Sequence, residues 1–241
     1  MLRPSGRKIN ELREIKIEAN INKYAEGSCL ISCGGTKVIC TATVEEKVPS
    51  FLKGKGSGWV TAEYSMLPRA TEQRVIREKE KANSRSTELQ RIVGRSLRAS
   101  IDLTKLGERQ IIIDCDVVQA DGGTRCASVT GGFVALYLAV QKLLKDRKLK
   151  INPIKSFVAA VSCGVYKNVC IMDFDYEEDS NSECDLNFVM NEQFDIIEIQ
   201  GTAEGRPFSF EKTTEMYNLA KNGIKELIEK QKEACGINVN L

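Results

Sequence analysis

Four consecutive residues, Gly122, Gly123, Thr124 and Arg125, have the makings of an oxyanion site. Two glycines let a backbone turn sharply and approach a ligand closely. A helix starting at Thr124 would leave its first N–H groups without intrahelical partners, at the positive end of the helix dipole, where an anion fits. Arg125 adds a guanidinium able to grip phosphate oxygens in pairs. The flanks suit this geometry. Residues 111–115 are mostly β-branched and apolar, a strand pattern. Residues 133–140 are apolar nearly all round, the pattern of a buried helix, here continuing to about Lys148. The expectation is a site for inorganic phosphate or a phosphodiester. The alternative is an ordinary strand-to-helix turn capped by Thr124.

A second cluster is acidic. Residues 172–188 hold seven acidic side chains and no basic one. Asp179 and Asp185 bracket a loop between two predicted strands, so both can point at one spot. Paired hard carboxylates suit Mg²⁺ or Mn²⁺, with waters and substrate oxygens completing the shell. Crowded carboxylates also raise one another's proton affinity, which can keep one of them as a general acid. An acidic surface turn is the plainer alternative. The opposite bias lies in residues 67–98, where nine basic side chains face four acidic ones, a net of +5. Within it, the polar stretch 67–84 reads either as a solvated loop or as an arm whose cations neutralise successive RNA phosphates. Arg91, Arg95 and Arg98 share one helical face, suited to phosphate, to salt bridges or to a subunit contact.

Composition removes several chemistries. The chain of 241 residues has no histidine, which excludes Ser-His-Asp and Cys-His catalysis and histidine-ligated metals. Its nine cysteines include no Cys-x-x-Cys pair, and Cys29 and Cys33 share a strand face too far apart for one metal. Free thiols suit a reducing compartment. No apolar run approaches the roughly 18 residues that span a bilayer, and the first eight residues are polar without an apolar signal core. The expectation is a cytoplasmic protein with no membrane partner. A net charge of +2 says little about partners, and 42% hydrophobic content suffices for a sizeable core.

The elements that must position these residues follow from periodicity. Residues 12–20 alternate loosely as a first strand. Residues 28–33 and 36–44 form a hairpin in which Gly34 and Gly35 supply the positive φ angles of a tight turn, and Pro49 ends it. The glycine-rich loop 54–58 precedes a strand, 59–64, and is read as a connector. A helix opens near Thr87, which has capping-box spacing with Gln90, and carries an apolar stripe of Leu89, Ile92, Val93 and Leu97. Beyond a linker at 149–155, residues 157–165 and 169–174 form another hairpin around Tyr166, Lys167 and Asn168. Strands at 185–190 and 194–202 follow, then an amphipathic helix from about Glu211 to Ala234. The order implies an α+β protein of two similar halves, approximately 1–150 and 151–236, in one unit.

Taken together, these residues resemble the bacterial ribonuclease PH family over nearly the whole chain. The specific motifs are residues 58–71 (GWVTAEYSMLPRAT), 90–99 (QRIVGRSLRA), 115–125 (CDVVQADGGTR) and 177–180 (EEDS), with RPSGR at 3–7. The resemblance implies a duplicated fold like domain 2 of ribosomal protein S5, with βαβ halves. It implies a phosphate-dependent 3′→5′ exoribonuclease that trims tRNA precursors and releases nucleoside diphosphates, assembled as a homo-hexamer, a trimer of dimers. On the family pattern Arg85, Gly123, Thr124 and Arg125 bind the attacking phosphate. Asp179 and Asp185 carry a Mg²⁺ or Mn²⁺ ion and the acid role, and Arg69, Arg74 and Arg77 contact tRNA. Two departures stand out. Ser84 and Ser86 flank Arg85 where the family has Gly and Thr, which puts its presentation in question. Cys126 replaces a Thr and is a poorer donor beside the anion. A catalytically silent RNA-binding ring subunit is the rival reading; retention of Arg125, Asp179 and Asp185 argues against it. A small-metabolite kinase is remote, since no nucleotide-binding loop is recognisable.

Overall fold

The computed structural model describes residues 3–77, 84–204 and 207–237. Strands β1 (Ile15–Ala19), β2 (Gly27–Cys33) and β3 (Thr36–Glu45) run antiparallel in sequence order. β4 (Trp59–Met66) leads through α1 (Ser84–Ala99) and the short α2 (Leu103–Leu106) to β5 (Gln110–Gln119). β5 inserts between β3 and β4, antiparallel to the first and parallel to the second. The parallel pair needs a crossover, and α1 supplies it. Burial alternates along β5: Ile111, Ile113, Cys115 and Val117 face the core, while Asp114 and Asp116 lie on the half-open face.

Helix α3 (Thr124–Lys145) follows. By length and hydropathy it meets the measure of a membrane-crossing helix, contrary to the sequence expectation that no run comes close. Most of its surface is instead buried against β2, β3 and β6 (Val158–Tyr166). Its apolar girth is that of a core helix shared by two sheets. All nine residues of β6 are buried, so both its faces are covered, which explains a strand of small and β-branched residues without alternation. β6 sits between β7 (Val169–Met172) and β8 (Cys184–Asn191), and β9 (Ile196–Ala203) forms the outer edge of this antiparallel sheet. Helix α5 (Phe210–Ala234) packs on β6, β7 and β1 with Met216, Ala220, Ile224, Leu227 and Ile228 inward. The architecture is α+β in two halves joined through one apolar core.

Four local expectations need correction. Helix α1 already includes Ser84, so Thr87 lies within it and is not its cap. Of the two turn glycines, only Gly34 takes positive φ, while Gly35 lies so close to Asp121 that a Cβ would collide with its carboxylate. β5 runs on to Gln119 because β4 pairs with it as far as Val117 and β3 as far as Gln119. The acidic stretch is no open loop: Asp175 caps α4 (Tyr176–Ser180) in a reciprocal capping box with Glu178.

Candidate active site

Gly122 and Gly123 take φ of 72° and 66° between β5 and α3. At Gly122 a Cβ would lie 2.8 Å from the Phe174 carbonyl oxygen, so only glycine lets this bend approach the acidic segment. Gly123 is the N-cap of α3 and provides no side-chain acceptor, and the first i→i−4 bond of the helix is from Ala127 to Gly123. The amides of the first turn therefore lack intrahelical acceptors. Thr124, by contrast, is turned inward and shares a 2.9 Å hydrogen bond with the Tyr64 hydroxyl. Burial raises the Tyr64 phenol above its usual range, so it stays a neutral partner.

Above this helix end lies a cavity of about 80 Å³ lined by Arg85, Gly123, Thr124, Arg125, Asp179, Asp185 and Asn187, with Leu89, Ser162 and Phe174 completing the wall. One water needs roughly 10–15 Å³ on this measure, so several waters or a small oxyanion fit. Arg85 reaches it from the first described turn of α1, Arg125 from α3, Asp179 from α4 and Asp185 from β8. Because Arg85 stands on a helix, its flanking serines are helical residues and not part of an open loop. Neither Arg85 nor Arg125 has an ion pair or hydrogen bond among the described residues, and the Arg125 Nε is buried without a partner. Two unpaired guanidiniums over a helix N-terminus attract an anion.

The carboxylates carry the opposite charge to the same space. Burial, then the charge of Asp179, pushes Asp185 up to about 6, against the pull of Arg125 and the Asn187 amide. Asp179 is more open and is also raised, by partial burial that outweighs the attraction of Arg85 and Arg125. Both are hard oxygen donors with uncompensated charge, which fits a divalent cation. Among the described residues no group of three or more acidic or cysteine side chains is placed to hold a metal ion, and Asp179 and Asp185 are the carboxylates in this cavity's lining.

The structure does not bring Arg69, Arg74 and Arg77 to the cavity wall. They lie on the segment after β4, exposed and without partners among the described residues. Its base is fixed by bonds from Leu67 to Val117 and from Ala120 to Ala70. Part of the basic stretch, residues 78–83, falls outside the described residues. The Arg91, Arg95 and Arg98 face does not act as a unit either. Arg95 pairs with Glu198 at 3.2 Å, and Arg98 stacks over Trp59 and donates to the Val60 carbonyl. Cys126 is turned away from the anion cavity: its thiol donates to Asn187 Oδ1 at 3.2 Å.

Sequence reasoning missed the supports. Asp173, Asp175 and Glu178, part of the acidic stretch but not singled out from the sequence, are paired with Arg3, Arg7 and Arg13. Arg3 and Glu178 are fully buried with two contacts of 2.7 and 2.6 Å. These pairs hold α4, and with it Asp179, against the chain's first residues. Only the RPSGR motif hinted at them.

Comparisons with known proteins give the family and the fold. Residues 11–141 match domain 1 of the 3′ exoribonuclease family and residues 156–223 match its domain 2. The chain is 54% identical to ribonuclease PH of Roseobacter denitrificans, over 97% of this chain and 99% of that one. In fold it resembles a chain of the Archaeoglobus fulgidus exosome with RNA bound to the active site, with a TM-score of 0.81, 22% identity, and 95% of this chain and 92% of that chain covered. A chain of an archaeal exosome core gives 0.76 at 22% identity, covering 95% and 91%. The chain belongs to the 3′ exoribonuclease family. It is a phosphorolytic 3′→5′ exoribonuclease, with RNA and inorganic phosphate as its substrates.

Proposed function

We propose that Arg85 and Arg125, with the first amides of α3 at Gly123 and Thr124, hold the attacking phosphate, and that Asp179 and Asp185 serve the leaving group. The observation that carries this reading is the cavity itself, where two unpaired guanidiniums and two carboxylates face one small space. An oxygen of inorganic phosphate forms a bond to the phosphorus of the last phosphodiester. The bond from that phosphorus to the upstream 3′ oxygen breaks, and a nucleoside diphosphate leaves. The 3′ oxygen takes a proton from one carboxyl of the pair; burial favours the protonated form of Asp185, which can then offer a metal ion only its carbonyl oxygen and leaves Asp179 as the charged ligand. Two anions must meet, and the guanidiniums and amides offset that repulsion. No special nucleophile is required, so the lack of histidine is no obstacle.

Asp179 and Asp185 would hold a Mg²⁺ or Mn²⁺ ion, which when bound supplies further neutralisation of charge on the reacting oxygens. Arg69, Arg74 and Arg77 contact the RNA, whose preferred form is the 3′ end of a tRNA precursor. The subunits form a homo-hexamer, a trimer of dimers, in the cytoplasm. The family membership supports these readings. The chain acts as one unit with halves at approximately 1–150 and 151–236, and the two family matches flank that boundary.

The test is product analysis on RNA with an unpaired 3′ end. Nucleoside diphosphates should appear only when phosphate and Mg²⁺ are both present. Nucleoside monophosphates released without phosphate would refute the mechanism. Arg125→Ala should lower turnover by roughly 10²–10³-fold or more while RNA binding persists.

A further inference from the structure

A half-buried carboxylate beside a guanidinium ordinarily closes into a forked pair. Asp185 and Arg125 line the same small cavity and act on one another electrostatically, yet they form no ion pair. The Asp185 carboxylate is instead hydrogen-bonded by Asn187, two residues along β8 and so on the same face. Its Nδ2 lies 3.3 Å and 3.2 Å from the two carboxylate oxygens of Asp185. Asn187 is itself 7% exposed, and its orientation is set from behind. The Cys126 thiol donates to its Oδ1 at 3.2 Å, so the oxygen faces the sulfur and the NH₂ group faces the carboxylate. Cys126 directly follows Arg125 in the first turn of α3. The two residues, about 100° apart around the helix, thus act on one site by different routes, one on the anion and one through the amide.

We propose that Asn187, oriented by Cys126, is a positioning residue that keeps the Asp185 carboxylate off Arg125 and so leaves that guanidinium free for inorganic phosphate. The inference rests on Arg85 and Arg125 being the phosphate site. Without Asn187 the chain's own carboxylate becomes a competitor. If it occupies Arg125 nine-tenths of the time, the apparent affinity for phosphate falls about tenfold, because only the open fraction binds.

The experiment is a double-substitution cycle read by calorimetric titration of inorganic phosphate into the full chain in chelator-treated buffer. Thermal unfolding of each variant checks its fold. Asn187→Ala should raise the phosphate Kd about tenfold. Asp185→Ala should bind phosphate at least as tightly as the native chain, and the Asn187→Ala, Asp185→Ala double variant should match Asp185→Ala. That recovery is what a merely structural role for Asn187 would not produce. An unchanged Kd in Asn187→Ala, or weak binding that persists in the double variant, overturns the proposal. Cys126→Ala should weaken binding and Cys126→Ser, which keeps a donor, should restore it; this pair decides the matter if the Asn187 variants do not fold, and equal Kd values for the two overturn it. Arg125→Ala is the control. If it binds phosphate as well as the native chain, the phosphate-site reading fails first.

Discussion

Arg13 and Asp173 are 160 residues apart in the chain and meet through three contacts: the Arg13 amide and Nε to Oδ2 at 2.7 and 3.0 Å, and Nη2 to Oδ1 at 2.7 Å. The remaining nitrogen, Nη1, donates to the Asp121 carbonyl at 2.5 Å, just before the glycine bend. Burial alone would raise Asp173, but Arg13, and then Arg7, hold its carboxyl below the usual range. Asp173 also stands at φ 55°, an unfavourable conformation for a residue with a side chain, and this pairing holds it there. One guanidinium therefore fixes both the glycine bend and the start of the acidic segment.

Arg13→Ala should destabilise the protein by about 3 kcal/mol, because it leaves a buried carboxylate with only Arg7, at 3.3 Å, to offset its charge. Arg13→Lys keeps the charge without the fork and should recover only part of that loss. Urea unfolding of the three proteins, with unchanged m-values, is the measurement. A loss below 1 kcal/mol in Arg13→Ala would show that the contact is not holding the two segments.

Gly122→Ala tests the bend from the other side. Its Cβ would meet the Phe174 carbonyl and the Asp175 backbone at 2.8 Å, in a φ region that costs about 1 kcal/mol or more for alanine. Neither neighbour is a flexible side-chain end, so the bend itself must move. Phosphate affinity should fall along with stability. Gly6→Ala, at a positive φ with open space around it, should cost stability by strain alone and leave phosphate affinity intact.

Much of this fold is legible in the sequence because its signals are local. The 2-residue period and the Gly-Gly break mark the β2–β3 hairpin, and the stripe of Leu89, Ile92, Val93 and Leu97 marks the inner face of α1. The grouping of Arg125 with Asp179 and Asp185 came from motif resemblance, and the structure places all three around one cavity. What stayed hidden is long-range. Charge counting cannot separate Asp173 and Glu178, neutralised by Arg13 and Arg3, from Asp179 and Asp185, which are not. The role of Asn187 was invisible because its partners, Cys126 and Asp185, come from a helix and its own strand. The acidic stretch read as a loop because five residues are too few to show helical periodicity.

The exposed arginines after β4 make a prediction about salt. Arg69, Arg74 and Arg77 have no partner among the described residues and do not border the cavity. If they contact RNA phosphates, each Ala substitution should flatten the slope of log affinity against log salt by about 0.7. Turnover of a short oligonucleotide that fills only the cavity end should change little. Filter binding at several salt concentrations separates this from a loss of fold, which would reduce both.

Asp185 yields the pH prediction. Its carboxyl sits at about 6 in the folded chain, raised by burial and then by Asp179, against a reference of 3.8 when unfolded. Between those values the folded state binds more protons than the unfolded state, so this group's contribution to stability falls as pH rises from about 4 to about 6. Above that window the whole cost remains, on the order of 3 kcal/mol. Asp185→Asn removes it. In chelator-treated buffer the variant should unfold several degrees above the native protein at pH 8, at roughly 2–4 °C per kcal/mol for a chain this size. The difference should close toward pH 4, where the native carboxyl is already protonated. Added Mg²⁺ should then raise the native melting temperature at pH 8 more than that of Asp185→Asn, because the ion relieves a charge that only the native site carries. Equal shifts in the two proteins would remove Asp185 from the metal site, and equal melting temperatures at pH 8 without metal would show that its burial is not felt.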